Sequence, residues 1–201
     1  MPAKAATETG DRDARLAPRE RILAAAEDLF YRQGIRAVGV DAIAEAARTN
    51  KMTLYRHFPS KDELVAEYLR RCAAAADAGF ARQLAAHPGD PLAQLLAWLD
   101  AVSVHVESND QRGCPLVNAA VELPDKSHPA RRVIEDYKIA QRRRLVALCE
   151  AARLEEPDLL ADELELLLEG ARVTAQSVGP AGLGDRLRRM GRAMVAMHRK
   201  Q

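Results

Sequence analysis

Between Asn50 and Lys61 the sequence NKMTLYRHFPSK sets Lys51, Arg56, His57 and Lys61 among the hydroxyls of Thr53 and Tyr55, with no acidic side chain in the run. Cations and hydroxyls without intervening carboxylates suit a polyanion. Ammonium and guanidinium groups neutralise phosphates, and the polar groups between them can hydrogen-bond to phosphate oxygens or base edges. The chemistry predicted is recognition rather than turnover. Four basic residues, Arg48, Lys51, Arg56 and Lys61, fall between Arg48 and Lys61, whereas the whole chain carries a formal charge of only +1. That balance excludes a non-specific binder that coats nucleic acid by bulk charge.

These residues need an element to present them. Leu54 and Phe58 lie four apart, so a helix from Lys51 to about His57 buries both on one face and turns Lys51, Met52, Thr53, Tyr55, Arg56 and His57 outward. Asn50 is its N-cap. Upstream, Ile43, Ala44, Ala46 and Ala47 give a short preceding helix an apolar face, and Arg48, Thr49 and Asn50 interrupt the pattern as a tight turn. Two short helices so joined are the arrangement that offers a recognition helix to a DNA major groove. Pro18 suits the first position of an earlier helix that runs to about Gln33, with Ile22, Ala26, Leu29 and Phe30 inward and Gly34 ending it. Ser60 and Glu63 form a capping box that opens a fourth helix, continuing to about Leu84. Lys61 then stands in a first helical turn, where free N–H groups and the positive helix end favour a phosphate.

The run KMTLYRHFPSKDEL resembles the signature of the TetR (tetracycline-repressor-like) family of transcriptional regulators, in which a T-L-Y-x-H-F recognition helix is followed by a short turn and a Lys that opens the next helix. The matching positions are Thr53, Leu54, Tyr55, His57, Phe58 and Lys61, and the likeness extends upstream through RERILAAAEDLFYRQGIRAVGVDAIAEAA, covering roughly residues 19–70. Three positions depart from the family pattern: Arg48 replaces the usual turn Gly, Thr49 replaces an apolar residue, and Gly39 stands where a Thr or Ser cap is common. The resemblance implies that Tyr55, His57 and Lys61 grip phosphates while Lys51, Met52, Thr53 and Arg56 lie nearer base edges, with Asn50 at the start of the contacting set. It further implies a one-component regulator, a repressor released from a palindromic DNA operator by a small-molecule effector.

Few Gly and aromatic residues, with abundant Ala, Leu, Arg and Glu, favour an all-α protein. The expected organisation is a polar, disordered N-terminal arm over residues 1–17, a three-helix helix-turn-helix DNA-binding head over 18–64, and a helical effector-binding and dimerisation body over 65–201. The arm lacks the apolar core of a signal peptide, and no apolar run reaches the roughly 18 residues of a membrane span. Cytoplasmic residence is the expectation.

In the body, Pro91 to about Glu107 is apolar around most of its surface, which predicts burial on several sides. Cys114 and Pro115 open a short helix to about Val121. A long charged segment follows from about Ala130 to Arg153, and its Arg142–Arg144 run is expected to be a solvated face. The last two helices run roughly from Asp158 to Ser177 and from Leu183 to Arg199. Leu183, Leu187, Met190, Met194 and Met197 make a seam of coiled-coil type, and Leu160, Leu164, Leu167 and Ala171 make a matching stripe. In the TetR family the final two helices form a four-helix dimer interface, so these residues are assigned to a homodimer. Doubling a short recognition helix across a palindrome also supplies the contacts that one copy lacks.

Effectors in the family sit among the body helices. Trp98 and Tyr137 are candidate aromatic walls, Asn118 and Gln176 candidate polar contacts, and Cys114 a thiol at a helix N-terminus beside Arg112. Redox or electrophile sensing through Cys114 is the alternative reading. Cys72, Cys114 and Cys149 are dispersed and odd in number, so neither a disulfide framework nor a metal site is expected. No HExxH, Walker loop, nucleophile elbow or GxGxxG occurs. A helical enzyme is the weaker reading from another class; no cofactor and no catalytic residue is assigned.

Overall fold

The structure is a computed structural model that describes residues 16–108 and 112–199. The expected disordered arm therefore lies almost wholly outside the described residues, as does the middle of the ESNDQRG loop. The described chain is all-α: α1 (Pro18–Gln33), α2 (Val40–Ala46), α3 (Lys51–His57), α4 (Lys61–Ala85), α5 (Pro91–Glu107), α6 (Pro115–Glu122), α7 (Pro129–Ala151), α8 (Pro157–Val178) and α9 (Leu183–Met197). No helix of the described chain is long and apolar enough to cross a membrane.

Proline stands at the start of α1, α5 and α8, where its missing N–H costs nothing. The Asn50 side chain caps α3 by accepting the Thr53 N–H at 2.8 Å. Ser60 Oγ accepts the Glu63 N–H at 3.1 Å at the head of α4, one arm of the capping box. Asp90 does the same for Ala93 at 2.9 Å ahead of α5.

Two compact units emerge. One comprises the chain up to Arg71 together with Asn118–Val133; the other comprises Cys72–Val117 and Ile134 onward. Residues 118–133, the end of α6 and start of α7, thus belong with the N-terminal unit. Its core gathers Ile22, Ala26 and Phe30 of α1, Ile43 and Ala44 of α2, Leu54 of α3, Phe58, and Leu64, Val65, Tyr68 and Leu69 of α4. Arg19 closes this core at one side: its guanidinium lies 5.1 Å from the Phe58 ring centroid and donates to Glu67 Oε1 at 2.8 Å. The hydrogen bond from Arg19 holds the Glu67 carboxyl below the usual carboxylate range. Glu122, at the end of α6, accepts the Arg36 N–H at 3.1 Å in the turn between α1 and α2.

The turn after α2 is a Schellman motif. The Thr49 N–H reaches Ala44 O and the Arg48 N–H reaches Glu45 O, each at 2.9 Å, which requires Arg48 to adopt a left-handed φ of 49°. The residue that departs from the family's Gly thus takes up the backbone conformation that Gly would. Arg153 does likewise after α7, with φ 56°, its N–H on Glu150 O and the Leu154 N–H on Cys149 O.

The second unit packs α5, α8 and α9 around Leu95, Trp98, Leu99, Leu145, Leu160, Leu164, Leu168, Leu187 and Val195. α9 meets α5 through glycine: a Cβ on Gly184 would stand 2.6 Å from the Ser103 carbonyl oxygen. This core absorbs much of the stripe assigned to the dimer. Leu160, Leu164, Leu183 and Leu187 are buried within the subunit, and Leu167 and Met194 pack partly against the same core. Only Met190 and Met197 of that set are exposed, at 48% and 72%. A repeat of threes and fours specifies a buried stripe but not which surface buries it. The apolar side chains that α8 does turn outward are Leu159, Leu166, Val173 and Val178.

The strained turn yields a test. An L-residue in the left-handed region costs roughly 1–2 kcal/mol, part of which glycine returns as unfolded-state entropy. Arg48→Gly should therefore raise unfolding free energy by about 0.5–1 kcal/mol. Arg48→Ala, which keeps a Cβ, should not. Urea denaturation followed by circular dichroism separates the two, and equal midpoints for both variants would remove strain as the account of this turn.

Candidate nucleic-acid interface and effector site

α3 has only the residues Lys51–His57, so its placement rests on what anchors it. Leu54 is fully buried and Phe58, just past the helix, is 3% exposed. With those two inward, Lys51, Met52, Tyr55 and Arg56 are exposed, and Thr53 and His57 are half-buried. Met52, at 84%, is an apolar side chain held in the open on this face. Lys51 Nζ lies 3.2 Å from Asp41 Oδ2 of α2, an exposed pair whose mutual attraction is weak. His57 Nε2 is sheltered from solvent and has no hydrogen-bond partner among the described residues. Asn50 is engaged as the helix cap, so its carbonyl oxygen is already committed.

Lys61 is placed differently from the outward role expected of it. Its ammonium donates to Ile35 O at 2.7 Å and lies 5.9 Å from the Phe30 ring centroid. Burial pulls its pKa below the ordinary lysine value, against the opposing influence of Asp62 and Glu122. In this state Lys61 braces the turn after α1, and its reach to a phosphate requires that bond to open.

The five effector candidates are divided between the two units, Asn118 in the first and the others in the second. Trp98 is 6% exposed and sits in the apolar core of the second unit. Gln176 is exposed on α8, and Asn118 belongs to the N-terminal unit. Cys114 and Tyr137 remain. Cys114 is 8% exposed, and both it and Tyr137 belong to the second unit and interact electrostatically there.

Around Tyr137 the structure adds residues that the sequence reading passed over. Arg144 lies with its guanidinium carbon 5.6 Å from the Phe80 ring centroid and 5.9 Å from that of Tyr137, and its NH2 group is 2.7 Å from Asp77 Oδ1. Lys138 donates to Glu169 Oε1 at 2.6 Å, and Arg172 donates to the same oxygen at 2.9 Å. The expectation of a solvated Arg142–Arg144 run is thereby corrected. Successive helical residues are about 100° apart and cannot share one face. Arg142 pairs outside with Asp158 and Asp162, Arg143 is exposed, and Arg144 turns over the two rings. The sequence signal was available in the aromatic Tyr137 seven residues before Arg144, two turns back on the same face.

The Tyr137 phenol is pushed up to about 12, first by burial, then by Cys114 and Asp77, against the opposing charges of Arg172 and Arg144. His105 is shifted below the ordinary imidazole value by desolvation and then by the Arg172 charge. Because the folded pKa of Tyr137 is raised, its neutral form favours the fold. That contribution is complete below the ordinary phenol value near 10 and is lost as pH climbs from there toward about 12. Tyr137→Phe should remove the late component of the ultraviolet phenolate titration. The variant should also lose less stability than the parent between about pH 10 and 12; identical alkaline curves would contradict the buried phenol.

Comparison with known proteins now bears on both units. The sequence model of bacterial regulatory proteins of the tetR family matches residues 22–68. A TetR-type transcriptional regulator of Streptomyces avermitilis is 32% identical, with 91% of this chain and 98% of that one covered and a TM-score of 0.78. A TetR-family transcriptional regulator of Streptomyces coelicolor superposes at a TM-score of 0.84, with 25% identity over 91% of this chain and 96% of its own. The HTH-type transcriptional regulator YjdC of Escherichia coli is 29% identical over 153 residues, 76% of this chain and 80% of that protein. The likeness spans the head that carries α3 and the helical body alike, and the chain belongs to the TetR family of DNA-binding transcriptional regulators.

Proposed function

We propose that the protein is a homodimeric transcriptional repressor that binds a palindromic operator through α3 and leaves it when a small molecule occupies the second unit. The observation that carries the DNA-reading role is the sidedness of α3: Leu54 and Phe58 are buried while Lys51, Met52, Tyr55 and Arg56 are exposed. Tyr55 and His57 serve as phosphate contacts, joined by Lys61 once its bond to Ile35 O opens. Lys51, Met52, Thr53 and Arg56 read base edges, and Asn50 fixes the helix start. The residues gathered around Tyr137 act by binding rather than catalysis, in the cytoplasm where the DNA is.

Dimerisation is supported by an exposed surface that keeps only Met190 and Met197 of the seam read from the sequence. Leu159, Leu166 and Val173 recur every seven residues on α8, and Met190 and Met197 do so on α9, all exposed. A heptad of exposed apolar side chains on adjoining helices suits knobs-into-holes burial against a second copy. Gly170 stands between Leu166 and Val173 with nothing within 4 Å of a would-be Cβ, leaving room for close approach.

Fluorescence anisotropy with DNA from upstream of the protein's own coding region, taken across a salt series, tests both halves. The parent protein should bind with an affinity that falls steeply as salt rises. Tyr55→Ala should lose roughly tenfold or more while remaining dimeric, in keeping with a lost contact of order 1–3 kcal/mol. Leu166→Asp should sediment as a monomer and bind weakly through a lost dimer. Equal binding by parent and Tyr55→Ala at every salt concentration would rule out the α3 assignment, and a dimeric Leu166→Asp would rule out the α8 face.

A further inference from the structure

We propose, resting on the DNA-reading role given to α3 above, that Met52 reads the 5-methyl group of a thymine in each half of the operator. Met52 is the most exposed large hydrophobic side chain among the described residues, at 84%. A lone apolar side chain on a surface ordinarily needs no account. The setting of this one does call for one. Tyr55 and Arg56, three and four residues on, share its face of the helix and are exposed, and so is Lys51 before it. No carboxylate occurs between Arg48 and Lys61, so the cations that draw in a polyanion bring Met52 against it as well. The other residues at the start of α3 are already engaged. The Asn50 side chain accepts the Thr53 N–H at 2.8 Å, the Lys51 ammonium lies 3.2 Å from Asp41 Oδ2, Thr53 is half-buried and Leu54 is fully buried. Met52 is the first-turn side chain left to project, and the N-terminal residues of a recognition helix are those that meet base edges.

Chemistry narrows what Met52 meets. A thioether has no hydrogen to donate and accepts only weakly. Set against guanine N7 and O6, or against the amino groups of adenine and cytosine, it displaces their water and returns no hydrogen bond, which is a net cost. The thymine C5 methyl is the apolar group that base pairs display in the major groove. Against it both partners bury apolar surface, and the unbranched methionine chain adapts its rotamers to the place where the methyl stands. Met52 thus favours T·A over the other pairs by contact, beside hydrogen-bonding neighbours that read what it cannot.

The test begins with selection from a pool of random-sequence duplexes, run in parallel with the full-length parent and Met52→Gln. Glutamine keeps the length and helix preference of methionine and exchanges the thioether for an amide. The parent should enrich a palindrome with a fixed thymine at one position of each half-site. Met52→Gln should lose that thymine and keep the flanking bases. Fluorescence anisotropy on the parent's selected duplex, with that thymine exchanged for deoxyuridine, then isolates the methyl, because uracil keeps every hydrogen-bonding group. The parent should weaken about fourfold for each half-site so changed, while Met52→Ala should bind the two duplexes within roughly twofold of each other. Circular dichroism of both variants, expected to match the parent, verifies that they are folded. A selected palindrome whose thymines Met52→Gln retains, equal binding of thymine and uracil duplexes by the parent, or a preference that survives in Met52→Ala would each overturn the role of Met52 and leave α3 as the reading helix. Enrichment of no sequence by the parent would instead remove the DNA-reading role of α3, and this one with it.

Discussion

A helix of two turns such as α3 cannot hold itself together in water, and the rest of the N-terminal unit supplies what it lacks. Helix nucleation is unfavourable, and isolated segments this short are almost wholly unfolded. α3 is held because Leu54 has no exposed surface and Phe58 almost none, each seated in a core built by α1, α2 and α4. Once that face is committed, the 100° step of the helix dictates which side chains point out. The Asn50 cap at one end and the Phe58 anchor at the other then leave little freedom in where Tyr55 and Arg56 are presented. Position and chemistry of the outward face are therefore consequences of burying two residues.

The same anchoring explains why departures from the family's pattern around α2 do not disturb the motif. Arg48 pays a backbone penalty to close a two-bond Schellman cap that glycine would close freely. Arg21 lends further support: its Nε donates to the Ala47 carbonyl at 3.2 Å, placing a cation at the C-terminal end of α2 where the helix dipole favours one. The turn geometry survives because the hydrogen bonds and the buried faces of α2 and α3 over-determine it.

How much of this was legible in the sequence follows from what each pattern encodes. Helix ends were readable because caps are local: Pro18, Asn50, Ser60 and Pro91 mark boundaries with residues whose backbone or hydrogen-bonding needs are met within a turn. The sidedness of α3 was readable from Leu54 and Phe58 for the same reason. The partner of each stripe was not. Leu160, Leu164, Leu183 and Leu187 carry the spacing of an intersubunit seam yet fill the subunit's own core, while the outward heptad of Leu159, Leu166 and Val173 is one position removed. A helix repeat specifies a direction, and only tertiary packing decides what stands there. Lys61 and Arg144 escaped for a related reason: long cationic side chains can reach solvent or fold back, and charge alone does not choose. Lys61 returns to Ile35 O, and Arg144 lies on two rings.

On the function proposed above, an effector in the second unit would have to act on the first through a free-energy difference, since a ligand bound equally well in every state moves no equilibrium. The covalent routes available are few. The chain passes between the units within α4, within α6 and within α7, each a continuous helix at the crossing. Helices resist bending because a sharp kink breaks backbone hydrogen bonds, and α4, α6 and α7 have no interior proline to relieve that cost. The far end of α6, Glu122, holds the Arg36 amide beside the turn that Lys61 also braces. What the ligand must supply is only the preference for one setting over the other.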